Sequence, residues 1–555
     1  MSDSLKIYLA QIDTIVGAID KNVARITAVR ETAAQEGANL VVFPELCLSG
    51  YPPEDLVLRD DFMDYVAQGA EELARITADG GPAILIGAPW KGEHGARHNA
   101  ALLLHDGEIA AVRFKHHLPN YGIFDEARVF EPGPYPEEPV EFGAVKLGVV
   151  ICEDMWFPNC TRQLKESGAD ILIVMNASPF ETGKPDLRQS RAESRVRETG
   201  LPLLYLNLIG GQDEVVFDGS SFVMSRFGRV VLRMPSWQEK CLMTVWEPED
   251  GGWRCHDQPI DPTMGRRENI WRALMTGLRS YVEKNNFPGV LLGLSGGIDS
   301  AITTAVAVDA LGADRVWCVM MPSPYTAQES IEDAAEVARL CRVRLDTIPI
   351  SPMMERYNSA LAPIFEDRPH DLTEENIQAR IRGTILMALS NKFGHMLLST
   401  SNKSEASVGY ATLYGDMCGG YSVIKDLYKT KIFLLSRWRN KHYPDGLLGP
   451  AGLVMPERVI TKPPSAELRP NQTDQDSLPP YDVLDAILEG LIESGRSVAD
   501  LVNDGHEEAV VRAVRRMLDR AEYKRRQAPP GIKISTLAFG RDRRYPITNG
   551  STELI

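Results

Sequence analysis

The chain has 555 residues, 44% of them apolar and 25% charged, with a net charge of -16 at neutral pH. That length allows about three domains of ordinary size, or two large ones, and the composition is that of a globular enzyme with ample core. The acidic balance excludes a general nucleic-acid binder, because a phosphate backbone needs a basic footprint; a small anionic ligand needs only a local basic pocket.

In chain order, the first half alternates short apolar runs with amphipathic stretches. Lys6–Asp13, Asn39–Leu46, Ala83–Pro89, Leu147–Asp154, Asp170–Ser178 and Leu201–Asn207 are rich in Val, Ile and Leu and predict strands buried on both faces. Asp20–Gly37 reads as a helix with a glycine stop. A polar, Gly- and Pro-rich break follows over Glu247–Gly265. Beyond it come a helix from Arg266, a strand into "LGLSGGIDSA", further strands at Arg315–Pro322 and His395–Asn402, and a helix at Glu329–Cys341. The pattern is α/β throughout. It divides into a first domain over 1–250, a linker over 251–268 and a second domain over 269–555. The stretch "TKPPSAELRPNQTDQDSLPPYD" is loop-like.

No apolar run approaches the roughly 18 residues of a membrane span, and the start "MSDSLKIYLAQIDTIVG" carries no basic leader. The eight cysteines form no C-x-x-C pair. Neither a membrane segment nor a signal peptide is expected, and the thiols fit a reducing cytoplasm.

Two stretches carry chemistry. In "SGGIDS", Gly296 and Gly297 tolerate a left-handed backbone. Successive N–H groups around Ile298 then form an anion nest that the following helix start reinforces. Ser295 and Ser300 add hydroxyls. The lysine of the common phosphate loop is missing. Asp299 would repel a phosphate unless a cation lies between them, so it reads as a Mg2+ ligand. In "LGVVICEDMW", Cys152 closes a buried run. A nucleophilic thiol needs a base, and no histidine is near in sequence. Glu45 at another strand end can take a proton, and Lys115 can stabilise thiolate and oxyanion. Taken singly, each of these also fits a core cysteine or a solvated charge.

The loop resembles that of the PP-loop ATP pyrophosphatases, and the order Glu45, Lys115, Cys152 resembles the nitrilase-type amidases. Together with "NASPFETGK", "ENIQARIRG", "LSTSNKSEASVGYATLYGDM" and "YKRRQAPPGIKIS", nearly the whole chain resembles the bacterial long-form glutamine-dependent NAD+ synthetases. The resemblance implies an N-terminal nitrilase-like α-β-β-α sandwich and a C-terminal Rossmann-like parallel-sheet domain. It implies a Glu45 base, a Lys115 oxyanion stabiliser and a Cys152 nucleophile, with glutamine held by Tyr121, Glu126, Ser178 and Lys184. It further implies ATP on residues Ser295 to Ser300 and Thr400, Mg2+ on Asp299 and Glu405, and deamido-NAD+ near Asn376, Arg380, Glu405 and Lys524. Read without it, the alternative for Arg380 and Arg382 is simple surface charge on an amphipathic helix. The implied reaction amidates deamido-NAD+ with ammonia from glutamine, leaving AMP, pyrophosphate and glutamate. An internal ammonia passage and a homo-oligomer, dimeric through the synthetase domains or larger, are implied as well. The alternatives are an amidotransferase acting on another carboxylate, or an amidase with a non-catalytic nucleotide domain.

Overall fold

A computed structural model describes residues 4–550. The chain forms two compact units, Met1–Gly265 and Arg266–Ile555, each with its own core.

The first unit is built on strands β1 (Leu5–Gln11), β2 (Leu40–Val42), β3 (Ala83–Lys91), β4 (Arg97–His105), β5 (Glu108–Phe114), β6 (Val140–Phe142), β7 (Val145–Ile151), β8 (Ile171–Asn176), β9 (Leu203–Asn207), β10 (Ile209–Gln212), β11 (Val215–Asp218), β12 (Phe222–Met224), β13 (Val230–Arg233), β14 (Lys240–Glu249) and β15 (Gly252–Cys255). Among the described residues one sheet runs β15-β14-β1-β2-β3-β4-β5, another runs β13-β12-β9-β8-β7-β6, and β10 and β11 form a hairpin. The strands predicted from sequence are the parallel cores of the two sheets, β1-β2-β3 and β7-β8-β9.

Alternation along each strand sorts the side chains into layers. Ile7, Leu9, Val42 and Leu85 of one sheet meet Val149, Ile151, Ile173 and Leu206 of the other. On the outer face of the first sheet, Tyr8, Val41 and Ile84 pack on Val23 and Ile26 of the helix Ile19–Gln35 and on Val66 and Leu73 of the helix Asp60–Ile76. On the outer face of the second, Val150, Leu172 and Val174 pack on Leu164 and Val196, from the helices Pro158–Glu166 and Lys184–Thr199. The result is a four-layer α-β-β-α sandwich.

The remaining strands of this unit were not predicted from sequence, and two regions show why. The β4–β5 hairpin is Ala-rich, which lowers its strand propensity. Its turn residues Asp106 and Gly107 both have positive φ (51° and 88°), the Asp-Gly pattern of a tight hairpin. The stretch expected as a linker, 251–268, carries β15, which pairs with β14. Its Cys255 is buried and its Trp253 packs on the inter-sheet core; burying those two side chains draws this polar segment into the sheet edge.

The second unit has strands β16 (Val290–Gly293), β17 (Val316–Met320), β18 (Arg344–Thr347), β19 (Met396–Ser399) and β20 (Tyr421–Ser422), in the order β18-β17-β16-β19-β20. All these pairings are parallel. Chain direction across the sheet reverses between β16 and β19, the switch point at which open α/β sheets bind ligands. The helix Ile298–Leu311 follows β16 and buries every residue except Asp299. Its Asp309 is fixed by Arg439 through bonds of 2.6 and 2.9 Å and by the Trp271 indole at 2.9 Å, which ties three helices together in an apolar interior. Removing one partner of such a pair costs about 3–5 kcal/mol.

Candidate active sites

In the first unit, three segments deliver charge to one buried point. Glu45 follows β2 and is fully enclosed. The β3 backbone passes so close at Gly87 that a Cβ there would lie 2.3 Å from the Leu46 nitrogen and 2.6 Å from the Pro44 oxygen, so only glycine fits beside the Glu45 turn. Lys115 follows β5 and is also fully enclosed. Its ammonium lies 2.7 Å from Glu45 Oε1 and 2.9 and 2.8 Å from the two oxygens of Glu126. Glu45 is held further by Asn99 Nδ2 at 2.8 Å and the Ala177 N–H at 2.8 Å. Cys152 comes directly after β7, at the start of a 3₁₀ turn over Cys152–Trp156. Its φ is +43°, a left-handed conformation that costs a non-glycine residue on the order of 1–3 kcal/mol and clusters at functional sites.

The electrostatics follow from burial. Burial raises the Cys152 thiol well above its ordinary pKa, Glu45 adds to the rise and Lys115 opposes it. The thiol therefore rests protonated and needs a base at the moment of attack, which Glu45 is placed to be. For Lys115, burial favours the neutral amine, but Glu126 and Glu45 together outweigh it and hold the ammonium. Burial pushes Glu126 up to about 7 against the pull of Lys115.

The residues expected to hold glutamine fall around this cluster in different ways. Tyr121 is exposed, and its hydroxyl donates to both oxygens of Glu153 at 3.1 Å. Lys184 stands 5.4 Å from the Phe124 ring centre, and its charge reaches Glu153. Ser178 is buried, with its hydroxyl oxygen accepting from Arg188 Nε at 3.0 Å. Glu126, by contrast, has both oxygens on Lys115 and also accepts from the Tyr51 hydroxyl at 3.1 Å. Sequence reasoning missed Glu153, although it adjoins Cys152, because a lone acid there has no diagnostic spacing.

In the second unit, a cavity of about 320 Å³ opens at the switch point, lined by the 293–300 loop, Thr400 and Glu405 among others. Of the paired glycines only Gly296 is left-handed, with φ +82°. A Cβ there would meet the Ser330 carbonyl at 2.2 Å. Gly297, at φ -85° and ψ 163°, instead caps the helix Ile298–Leu311. Ser295 and Ser300 close the loop, their hydroxyls 3.2 Å apart.

Asp299 and Glu405, expected to share a cation, are brought onto a third residue. Lys429 Nζ lies 2.5 Å from Asp299 Oδ2 and 3.0 Å from Glu405 Oε1, and Asn402 Nδ2 donates to Asp299 Oδ1 at 3.0 Å. Burial raises Glu405 to about 8, the like charge of Asp299 adding to it and Lys429 opposing. Two carboxylates beside a phosphate-type loop are the donor set Mg2+ takes, so these residues fit that ion by chemistry. Lys429 is enclosed at the first position of the helix Lys429–Lys441. A cation opposes the helix dipole there, which was the one local hint of a special role.

Asn376, Arg380 and Lys524 gather on a single loop. Asn376 Oδ1 accepts from Thr412, Arg380 Nε donates to the Leu413 carbonyl, and Lys524 Nζ donates to the carbonyls of Gly409 and Ala411 at 2.8 and 2.6 Å. That loop brings Tyr410 and Thr412 to the cavity. Arg380 is exposed. Arg382 lines the cavity, with its Nε on the Met321 carbonyl at 3.1 Å, and burial lowers its pKa to about 10.

The arrangement agrees with comparisons to known proteins. A carbon-nitrogen hydrolase family model matches residues 6–246, and an NAD synthase model matches 270–528. A glutamine-dependent NAD+ synthetase of Rhodobacter capsulatus is 48% identical over 549 residues, covering 99% of each chain. One of Acinetobacter baylyi is 45% identical over 547 residues, with 99% of each covered. The solved structure of glutamine-dependent NAD+ synthetase from Acinetobacter baumannii in complex with ADP has a TM-score of 0.78 at 43% identity, covering 99% of both chains. Two family models in this order, and relatives at nearly half identity from end to end, place the chain in the family of glutamine-dependent NAD+ synthetases.

Proposed function

We propose that the chain converts deamido-NAD+, ATP, glutamine and water to NAD+, AMP, pyrophosphate and glutamate, its two sites performing the two halves of the reaction. The observation that carries this is the presence in one chain of an enclosed Glu45–Lys115–Cys152 cluster and a switch-point cavity whose lysine-free loop faces two carboxylates. In the first site Glu45 takes the Cys152 proton as sulfur attacks the carboxamide carbon of glutamine, Lys115 faces the oxygen that becomes negative, and Glu45 returns the proton to the nitrogen so that ammonia leaves as the thioester forms. Water then frees glutamate. Glu126 holds Lys115 in place and charged. Ammonia made this way is neutral when it is released, whereas free ammonia near neutral pH is mostly ammonium, which has no lone pair.

In the second site the nest at residues 295–300 grips the phosphates of ATP, with Thr400 and Arg382 on the cavity wall. The nicotinate carboxylate of deamido-NAD+ attacks the α-phosphorus, pyrophosphate departs, and ammonia displaces AMP from the acyl adenylate. Asp299 and Glu405 would hold Mg2+, which when bound supplies charge neutralisation on the departing pyrophosphate. Asn376, Arg380 and Lys524 fix the 409–413 loop against the dinucleotide. The test is to identify the amidated product by mass spectrometry and to measure AMP release with deamido-NAD+ and Mg-ATP. AMP release triggered by a different carboxylate, with no NAD+ formed, would point to another acceptor.

Glu153 and Lys184 offer opposite charges beside Cys152, matching the α-ammonium and α-carboxylate of a free amino acid. Glu153→Gln is expected to raise the KM for glutamine by roughly 10–100-fold, the worth of a charge-assisted hydrogen bond. Glutaminase kcat should change little. Steady-state glutaminase kinetics check this, and an unchanged KM would remove Glu153 from recognition.

The working form is a homo-oligomer joined through the synthetase units. The helix Ser351–Phe365 buries none of its residues, and its Tyr357 and Ile364, with Leu372 of the next helix, stand 49%, 72% and 69% exposed, apolar side chains available to a second copy. Light scattering on the purified protein should give a multiple of the 61.5 kDa chain mass, reduced by Ile364→Glu. A monomer at micromolar concentration would overturn the assignment. Among the described residues no helix is long and apolar enough to cross a membrane. All eight cysteines are free, in keeping with a cytoplasmic enzyme.

A further inference from the structure

We propose that Asp154 is a positioning residue of the glutaminase site, its carboxylate tying the segment that follows Lys115 to the turn that carries Cys152. The inference rests on the glutaminase reading above and concerns how that site is held together. Asp154 is 4% exposed. Its Oδ1 accepts from the His117 N–H at 2.7 Å and the His116 N–H at 3.2 Å. Its Oδ2 accepts from the Ile151 N–H at 3.3 Å, with the His116 N–H also 3.4 Å away. His116 directly follows Lys115, and Ile151 directly precedes Cys152. One carboxylate therefore binds backbone N–H groups of the residues next to two of the three reactive side chains, on segments more than thirty residues apart in sequence.

The chemistry of the acceptor matters. A carboxylate accepts with both oxygens, whereas an amide has one acceptor and a donor pair that would face an N–H group. The left-handed Cys152 backbone, φ +43°, persists only where its surroundings over-determine it, and the bond from the Ile151 N–H anchors the residue that leads into it. His117, Asp154 and Cys160 approach one another as a set of metal-binding types. The Asp154 oxygens are, however, turned to backbone N–H groups, so the clamp describes the cluster better than an ion site does.

The test uses the full chain with Asp154→Asn and Asp154→Ala, and Cys152→Ala as control. Active sites are counted by covalent labelling of Cys152. Ammonia release from glutamine is followed in a single turnover and expressed per labelled site, alongside thermal melting. Misplacing a reacting group by about 1 Å costs on the order of 10²-fold, so acylation per site is expected to fall about tenfold in Asp154→Asn and about 10²-fold in Asp154→Ala, with the KM for glutamine nearly unchanged. A merely structural role would lower the melting temperature and the number of labelled sites while leaving the rate per site intact. Asp154→Asn acylating at the wild-type rate per site would overturn the proposal. If the wild type released no ammonia, or Cys152→Ala still did, the glutaminase reading itself would fall instead.

Discussion

Cys152→Ala is expected to lose NAD+ synthesis from glutamine and to keep synthesis from ammonium. The nucleophile has no substitute: the thioester needs sulfur, and Ala offers none. Loss of a covalent nucleophile costs on the order of 10⁴–10⁶ in kcat, enough to take the glutamine reaction below detection. The fold should tolerate the change, because Cys152 is a small side chain at the edge of an apolar core and its left-handed backbone strains Ala no more than Cys. The ammonium reaction uses the second site alone. Its rate should rise with pH in wild type and variant alike, because the reacting species is NH₃ and its fraction grows as ammonium loses its proton. Assaying both donors side by side, with wild type and variant at two pH values, checks the prediction. A variant that still used glutamine would remove Cys152 from the chemistry. A variant that lost both donors would show that the two sites are not separable.

Asp299→Asn is expected to produce the opposite pattern, with glutamine hydrolysis retained and NAD+ formation lost from either donor. The substitution keeps the shape and removes the charge facing Lys429 and the proposed metal position. Two magnitudes decide which effect dominates. An acid in the first turn of a helix is worth about 0.3–1 kcal/mol, and Lys429 keeps Glu405 as a partner at 3.0 Å, so its charge is not stranded and the loss to a helix otherwise buried along its whole length stays below that of breaking a buried pair outright. Removing one group that stabilises charge in the reaction costs roughly 10²–10³ in rate, or about 2.7–4 kcal/mol. Activity should therefore fall far more than stability. AMP release by Asp299→Asn at more than a tenth of the wild-type rate, with saturating Mg-ATP, would mean that this carboxylate is not part of the adenylation step. Unimpaired glutamine hydrolysis by the same preparation would show that the first unit remains folded.

The central parallel strands β1, β2, β3, β7, β8, β9, β16, β17 and β19 were legible in sequence as short apolar runs, a pattern that burial on both faces imposes, whereas the polar β18 and the two-residue β20 were not. The β4–β5 hairpin and β15 were not, because Ala-rich and polar segments enter a sheet only when tertiary packing covers them. The reactive residues divide in the same way. Cys152, Glu45 and the Ser295–Ser300 loop each follow a strand and carry a recognisable residue type. Glu153, Arg382 and Asp154 have no local mark of a site, and Lys429 has only its unfavourable place at a helix start: it lies 130 residues from Asp299, and Arg382 looks from sequence like any charge on an amphipathic helix.

By itself, then, the sequence determined the class of chemistry, through side chains at strand ends and a glycine turn whose local conformation depends only on near neighbours. The tertiary structure alone decided which charges face each other: that Glu126 is spent on Lys115, that Lys429 bridges Asp299 and Glu405, and that Asn376, Arg380 and Lys524 hold one loop. The physical reason is that Coulomb and hydrogen-bond interactions act over a few ångströms of space, whatever the separation along the chain. Burial, which sets their strength, is a property of the packed core and not of any segment within it.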